Sequence, residues 1–204
     1  MRQQRIALPR YLTVIYFIMI FTLPGSASAE RPLETVKGYA DKVLGVLRDP
    51  ALKGESSKKV RKEKIREISK KMFDFNELSK RTLSNHWRKL NPEQQQEFVR
   101  LYTSLLEDAY ADKILSYTNE KIIFDKEIML SDKMAEVQSI VRRRTAEIPI
   151  HYRVLLKDGT WRVYDVVIEG VSLINNYRSQ FREILAKDSP EALLDTLRKK
   201  VSKA

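Results

Sequence analysis

The stretch from Trp161 to Phe181, WRVYDVVIEGVSLINNYRSQF, places three structural signals next to one another. Its first part is rich in β-branched and aromatic residues, which is typical of a strand, and Gly170 then predicts a turn. Ser172 is in a position to cap a helix, and the apolar residues after it recur at the three- and four-residue spacing of an amphipathic helix. This stripe consists of Val171, Ile174, Tyr177, Phe181, Ile184 and Leu185.

A second strand is predicted immediately upstream, from Ile148 to Lys157. It is separated from the strand Thr160 to Ile168 by Asp158-Gly159, a dipeptide preferred in two-residue hairpin turns. If Lys157 faces Thr160, one sheet face is almost wholly apolar, and we expect the core on that side. The cross-strand pairs predicted on this face are Leu156 with Trp161, Val154 with Val163, Tyr152 with Asp165, and Ile150 with Val167.

The rest of the chain divides into helical patterns and two further strands. Strands are predicted from Ile122 to Leu130 and from Met134 to Val141, where the apolar period is two. Helices are predicted from Leu33 to Leu47, from near Ser56, from the capping sequence Asn91-Pro92-Glu93-Gln94 to near Tyr117, after Ser172, and from Pro190. We therefore predict an α+β fold in which a curved antiparallel sheet of about four strands packs against several helices.

A second block of sequence carries a recognisable pattern. From Met72 to Tyr110 it reads MFDFNELSKRTLSNHWRKLNPEQQQEFVRLYTSLLEDAY, with an FDF motif, a tryptophan and an Asn-Pro-Glu-Gln-Gln helix start in that order. Together with the segment from Trp161 to Phe181, this block resembles the MlaC-like, toluene-tolerance family of periplasmic phospholipid carriers. The resemblance covers nearly the whole chain after the first 29 residues. One departure is Ser84, where members commonly have glycine.

The resemblance implies a cone-like domain with an apolar cavity between the sheet and the helices. It also implies a function, because members carry phospholipid between an outer-membrane lipoprotein complex and an inner-membrane ABC transporter complex and so maintain lipid asymmetry. Some relatives belong to pathways for hopanoids or other apolar molecules, so the cargo stays open. The residues expected to line the cavity are Phe98, Leu101, Tyr102, Leu105, Ile150, Tyr152, Val154, Trp161, Val163, Val167 and Tyr177.

The N-terminus has the layout of a secretory signal peptide. Three arginines precede an apolar run from Tyr11 to Leu23, and small residues from Ala27 to Ala29 follow it. We expect cleavage after Ala29, which leaves a single lipid-binding domain over 30–204. Loss of the three arginines lowers the formal net charge from +11 to +8. An exported basic chain has lipid headgroups and acidic protein surfaces, rather than nucleic acid, as its anionic partners, and we expect a periplasmic monomer.

Enzymatic chemistry is poorly supplied by this sequence. It has no cysteine and only two histidines, His86 and His151, so we expect neither a metal site nor a cofactor. The strongest catalytic alternative pairs Asp165 with Tyr152, as a general base and a proton donor of an isomerase-like enzyme. The structural interpretation is favoured, in which the buried carboxylate of Asp165 forms a hydrogen bond with Tyr152 that fixes the hairpin, and Arg178 completes an ion pair with Asp165.

Two basic segments leave a further alternative open. The run from Lys58 to Lys71 is either a solvated helix face or a docking surface for an anionic partner, and an adaptor protein without a cavity would use it in the second way. Arg142, Arg143 and Arg144 cluster at a predicted strand end, where the rim of a cavity would lie.

Overall fold

The computed structural model describes residues 30–117 and 120–202, so the predicted signal peptide and its cleavage site lie outside the described residues. Six helices and one five-stranded antiparallel sheet with strand order β1-β2-β3-β4-β5 make up this part of the chain. The predicted α+β class is confirmed, with one short additional strand. The elements are α1 (Pro32–Arg48), α2 (Lys58–Met72), α3 (Phe75–Leu83), α4 (Pro92–Leu115), β1 (Lys121–Ser131), β2 (Met134–Arg142), β3 (Glu147–Lys157), β4 (Thr160–Ile168), β5 (Val171–Ser172), α5 (Leu173–Leu185) and α6 (Pro190–Val201).

Side-chain caps begin the helices where the sequence predicts them. Asn91 accepts a hydrogen bond from the backbone N–H of Gln94 at 2.9 Å, and the Gln94 side chain accepts one from the backbone N–H of Asn91 at 3.1 Å. This reciprocal capping box satisfies two backbone donors at the start of α4. Ser172 likewise accepts from the backbone N–H of Asn175 at the start of α5. Both predicted caps are confirmed.

The β3–β4 hairpin follows the predicted register only as far as a β-bulge. Asp158 and Gly159 have φ values of 50° and 75°, as a type I′ turn requires, and Leu156 faces Trp161. The register then shifts, because Val154 pairs with Val163 but Arg153 pairs with Asp165. The predicted pairings beyond this point are wrong: Tyr152 faces Val166 and Ile150 faces Ile168. The extra residue is Tyr164, and this one-residue insertion puts Asp165 opposite Arg153 instead of Tyr152.

Two apolar clusters form the core. The first lies among α3, α4, α5 and α6, where Phe98, Tyr102 and Phe181 pack with edge-to-face and tilted ring contacts. The second lies between α1 and the sheet, and contains Val36, Val137, Val154 and neighbouring residues. The bulge residue Tyr164 belongs to the first cluster, whereas Trp161, Val163 and Val166 of the same strand belong to the second, so β4 connects the two.

Ser84, at the C-terminal end of α3, has φ 51° and ψ −123°, a backbone conformation that favours glycine. We expect the substitution Ser84→Gly to raise the free energy of unfolding by about 1 kcal/mol, because it removes the strain of a side chain in this region. Urea unfolding measures the difference. Ser57→Gly is the matched control, since Ser57 has an ordinary φ of −94° and caps nothing, and it is expected to lower stability slightly. Equal effects of the two substitutions would contradict strain at Ser84.

Candidate functional site

A cavity of about 680 Å³ lies between the helical layer and one end of the sheet. Helices α1 and α2 and the second half of α4 form one side, and the strands from β1 to β4 form the other. The starts of β1 and β3 and the ends of β2 and β4 meet at this end of the sheet, because Lys121 pairs with Arg142 and Ile150 with Ile168. The volume lies within the range of roughly 300–1,000 Å³ found for ligand sites.

The interior of the cavity is apolar. Its buried lining residues come from α1, α2, α3, α4, β4 and α5. Tyr152 adds a phenol from β3, and burial raises the pKa of this side chain to about 12, while the nearby Ser139 acts in the opposite direction. Tyr152 is therefore neutral at ordinary pH and places no charge in the cavity. The buried lining residues are Ala40, Leu44, Met72, Leu78, Leu106, Val166 and Leu173.

The solvent-facing end of the cavity is polar. Among the lining residues that the structure describes, four are exposed, and these are Lys113, Ser116, Arg143 and Glu169. They belong to the end of α4, the segment after it, the β2–β3 connection and the β4–β5 turn, all near the same end of the sheet. We call these four residues the mouth. An apolar interior under a polar mouth matches the two parts of an amphiphilic molecule.

A network of polar contacts crosses one side of the mouth. The Nε atom of Arg143 lies 3.3 Å from the Oε1 atom of Glu120, whose side chain is only 9% exposed. The hydroxyl of Tyr117 donates to the carbonyl oxygen of Glu120 at 2.9 Å and accepts from Nε of Arg48 at 3.1 Å. This network joins the end of α1, the segment before β1 and the β2–β3 connection, and so gives that side of the mouth a defined geometry.

Ion pairs join α2 to α4. Met72 is the only fully buried residue of α2. Nζ of Lys62 lies 2.6 Å from Oδ1 of Asp108, and Nε of Arg66 lies 2.7 Å from Oε2 of Glu107. These carboxylates are largely covered, at 18% and 11% exposed, so the pairs are better shielded than surface ion pairs. The apolar side chains of α2 are thereby left to line the cavity.

The structure separates the predicted lining residues into two groups. Ile150 and Tyr152 line the cavity. The other nine lie outside its lining. Five belong to or pack against the first core cluster: Phe98, Leu101, Tyr102, Leu105 and Tyr177. Three belong to the second cluster, Val154, Trp161 and Val163, and Val167 is buried in β4. The lining from α1 and α2 was missed, although the apolar stripe of Ile65, Ile68, Met72 and Phe75 was a usable signal.

Comparison with known proteins settles the family. The model of the MlaC protein family matches residues 37–199. This chain belongs to that family. A curated MlaC relative is the intermembrane phospholipid transport system binding protein of Haemophilus influenzae, 24% identical over 204 residues, which covers 97% of this chain and 95% of that protein. The toluene tolerance protein ttg2D of Pseudomonas putida is 24% identical over 165 residues, covering 80% and 77% of the two chains.

A solved structure supports the fold of this MlaC family member. The phospholipid-binding protein from Ralstonia solanacearum, determined in complex with a phospholipid, superposes with a TM-score of 0.75 at 24% identity. The match covers 85% of this chain and 98% of that one. Among the helices of residues 30–117 and 120–202, none combines the length and the apolar character needed to cross a bilayer.

Asp165, the main catalytic alternative within this family member, lies outside the cavity lining and is fully engaged. Its side chain is 2% exposed and accepts hydrogen bonds from Arg153 at 3.2 Å, from the Ser172 hydroxyl at 2.7 Å and from the backbone N–H of Ile174 at 3.1 Å. The predicted partner is wrong, because Arg178 donates instead to the carbonyl oxygen of Arg81 and to Asn175. The bulge is the physical reason, since it places Asp165 beside Arg153.

Proposed function

We propose that this protein binds a phospholipid in the cavity and carries it across the periplasm. The acyl chains lie in the apolar interior and the headgroup remains at the mouth. The observation that carries this proposal is the combination of a largely apolar cavity of about 680 Å³ with a polar, exposed end. The phospholipid bound to the Ralstonia solanacearum protein and the transport role in the name of the Haemophilus influenzae relative support it.

The energetics explain why a carrier needs such a cavity. Each methylene that is moved out of water is worth about 0.8 kcal/mol, so two acyl chains would cost on the order of 20 kcal/mol if they crossed an aqueous compartment unshielded. A carrier must also release its cargo. The sequence contains no phosphate-binding loop of the GxxxxGK[ST] type. Uptake and release therefore depend on membrane complexes that favour different states of the carrier.

The cellular setting is part of the same proposal. The first 29 residues direct export, cleavage after Ala29 releases a monomeric domain over 30–204, and the partners are an outer-membrane lipoprotein complex and an inner-membrane ABC transporter. The protein moves lipid rather than converting it chemically. N-terminal sequencing of the exported protein is expected to begin at Glu30, and an intact Met1 would contradict the cleavage.

The deciding experiment is direct. The whole coding sequence is expressed in a Gram-negative host, the exported protein is purified without detergent, and an organic extract is analysed by mass spectrometry. Near-stoichiometric phospholipid is the expected result. A hopanoid or another apolar molecule would retain the carrier and change its cargo, whereas an empty protein would contradict the carrier function and favour an adaptor.

A further inference from the structure

The charges at the mouth are not equivalent. Within the described part of the chain, four cationic side chains line the cavity, and two of them, Lys62 and Arg66, are paired with carboxylates of α4. Lys113 and Arg143 remain at the mouth. The Lys113 ammonium lies over the ring of Tyr110, 5.2 Å from its centroid, on the last turn of α4. An anionic group at the mouth therefore meets two cations supplied by different elements.

Arg143 is the better positioned of the two. Glu120 contacts it at Nε, and Glu120 is itself held by a network that reaches Tyr117 and Arg48. A guanidinium carries five N–H donors, and a carboxylate engages at most a pair of them, so donors remain for another anion. A guanidinium whose orientation is set in advance loses little side-chain freedom when it binds an oxyanion. Phosphate is the oxyanion that this planar fork binds in a bidentate manner.

The neighbours of Arg143 show that its position is specific. Arg142 forms an ion pair with Glu147 at 2.7 Å and lies outside the cavity lining. Arg144 is exposed and is also absent from the lining. Of the three consecutive arginines at the end of β2 and the start of the β2–β3 connection, Arg143 alone lines the cavity. Replacing Arg143 or Arg144 by a neutral residue therefore makes the same change in net charge but affects the cavity lining only in the first case.

We propose that Arg143 binds the phosphate of the cargo lipid at the mouth, that Glu120 positions its guanidinium, and that Lys113 adds a second positive charge. This inference rests on the proposed function and deepens it, because it names the part of the cargo that the mouth recognises. The cavity interior binds the acyl chains without regard to the headgroup, whereas Arg143 makes a phosphate-bearing lipid preferable to the same lipid without phosphate.

The test compares two probes that differ only in the phosphate-containing headgroup. Exported protein is stripped of lipid, and affinities are measured for a fluorescent phosphatidylglycerol and for a diacylglycerol with identical chains and fluorophore. The wild type is expected to prefer the phosphatidylglycerol by about tenfold, because charge-assisted hydrogen bonds contribute binding free energy of this order. Arg143→Gln is expected to remove this preference while diacylglycerol affinity stays unchanged. Arg143→Lys is expected to restore part of it.

Two further variants and one competitor complete the design. Arg144→Gln removes a positive charge at the neighbouring position and is expected to keep the wild-type preference for phosphatidylglycerol. Glu120→Gln is expected to reduce the preference without changing diacylglycerol binding, because it acts through the orientation of Arg143. Inorganic phosphate in excess is expected not to displace the phosphatidylglycerol, whereas displacement would mean that the mouth serves free phosphate and would overturn the assignment to a lipid headgroup.

The outcomes distinguish this inference from the proposed function. If neither probe binds the wild type, the carrier function fails. If the wild type binds both probes equally, or if Arg143→Gln weakens both to the same extent, the phosphate assignment is overturned and the carrier function stands. Equal loss of preference in Arg143→Gln and Arg144→Gln would reduce the effect to net charge and would also overturn it.

Discussion

Replacing Ile150 by tryptophan is expected to exclude cargo from the cavity while the fold remains intact. Ile150 lies on β3 and lines the cavity, so an indole ring there has empty space to occupy. Every methylene of the cargo that is kept in water costs about 0.8 kcal/mol. Exclusion of two or more therefore lowers affinity by about tenfold or more. The measurement is the amount of lipid that is extracted per mole of exported protein.

A matched control lies four residues further along the same strand. Val154 is only 1% exposed and belongs to the second core cluster instead of the cavity lining. Val154→Trp is therefore expected to overpack the core and to lower the free energy of unfolding by about 1–3 kcal/mol. Ile150→Trp, by contrast, is expected to keep the wild-type urea midpoint. Full lipid occupancy in a folded Ile150→Trp protein would contradict the location of the site.

The contrast between Ile150 and Val154 also shows where sequence reasoning reached its limit. Cavity linings and packed cores use the same apolar residues, so the pattern of β3 does not reveal which positions face empty space. What separates them is the way the helices pack over the sheet, which the pattern of one strand does not contain. The ion pairs of Lys62 and Arg66 with α4 help to position α2, and they join residues more than forty positions apart.

Local signals were sufficient for much of the fold. Asn91 and Ser172 begin their helices where capping chemistry predicts, and Asp158-Gly159 forms the expected turn. Each of these depends on neighbouring residues only. The β-bulge at Tyr164 was not predictable in the same way, because the residue pattern of β4 is compatible with a regular strand and with a strand that contains one extra residue. The choice is made by tertiary contacts, since Tyr164 packs into the first core cluster and beneath the guanidinium of Arg81.

Asp165→Ala is expected to destabilise the protein by about 2–5 kcal/mol, because each buried donor left without its acceptor costs about 1–3 kcal/mol. Three donors lose their acceptor: Arg153, the Ser172 hydroxyl and the backbone N–H of Ile174. The last two lie at the N-terminus of α5, where a carboxylate is also favoured by the helix dipole. A loss of this size is a large fraction of the 5–15 kcal/mol that typically stabilises a domain. Urea unfolding of the exported protein measures it.

Asp195→Ala is the control for the loss of a negative charge. Asp195 is 56% exposed and pairs with Arg198 on the surface. Its replacement is expected to change the free energy of unfolding by about 0.5 kcal/mol or less.

Asp165→Asn separates structure from ligand binding, because the amide can still accept from the backbone N–H of Ile174. It is expected to be less stable than the wild type yet to carry a full complement of lipid, as Asp165 does not line the cavity. A folded Asp165→Asn protein without lipid would show that this carboxylate acts on the cargo, and would reopen a catalytic role for it.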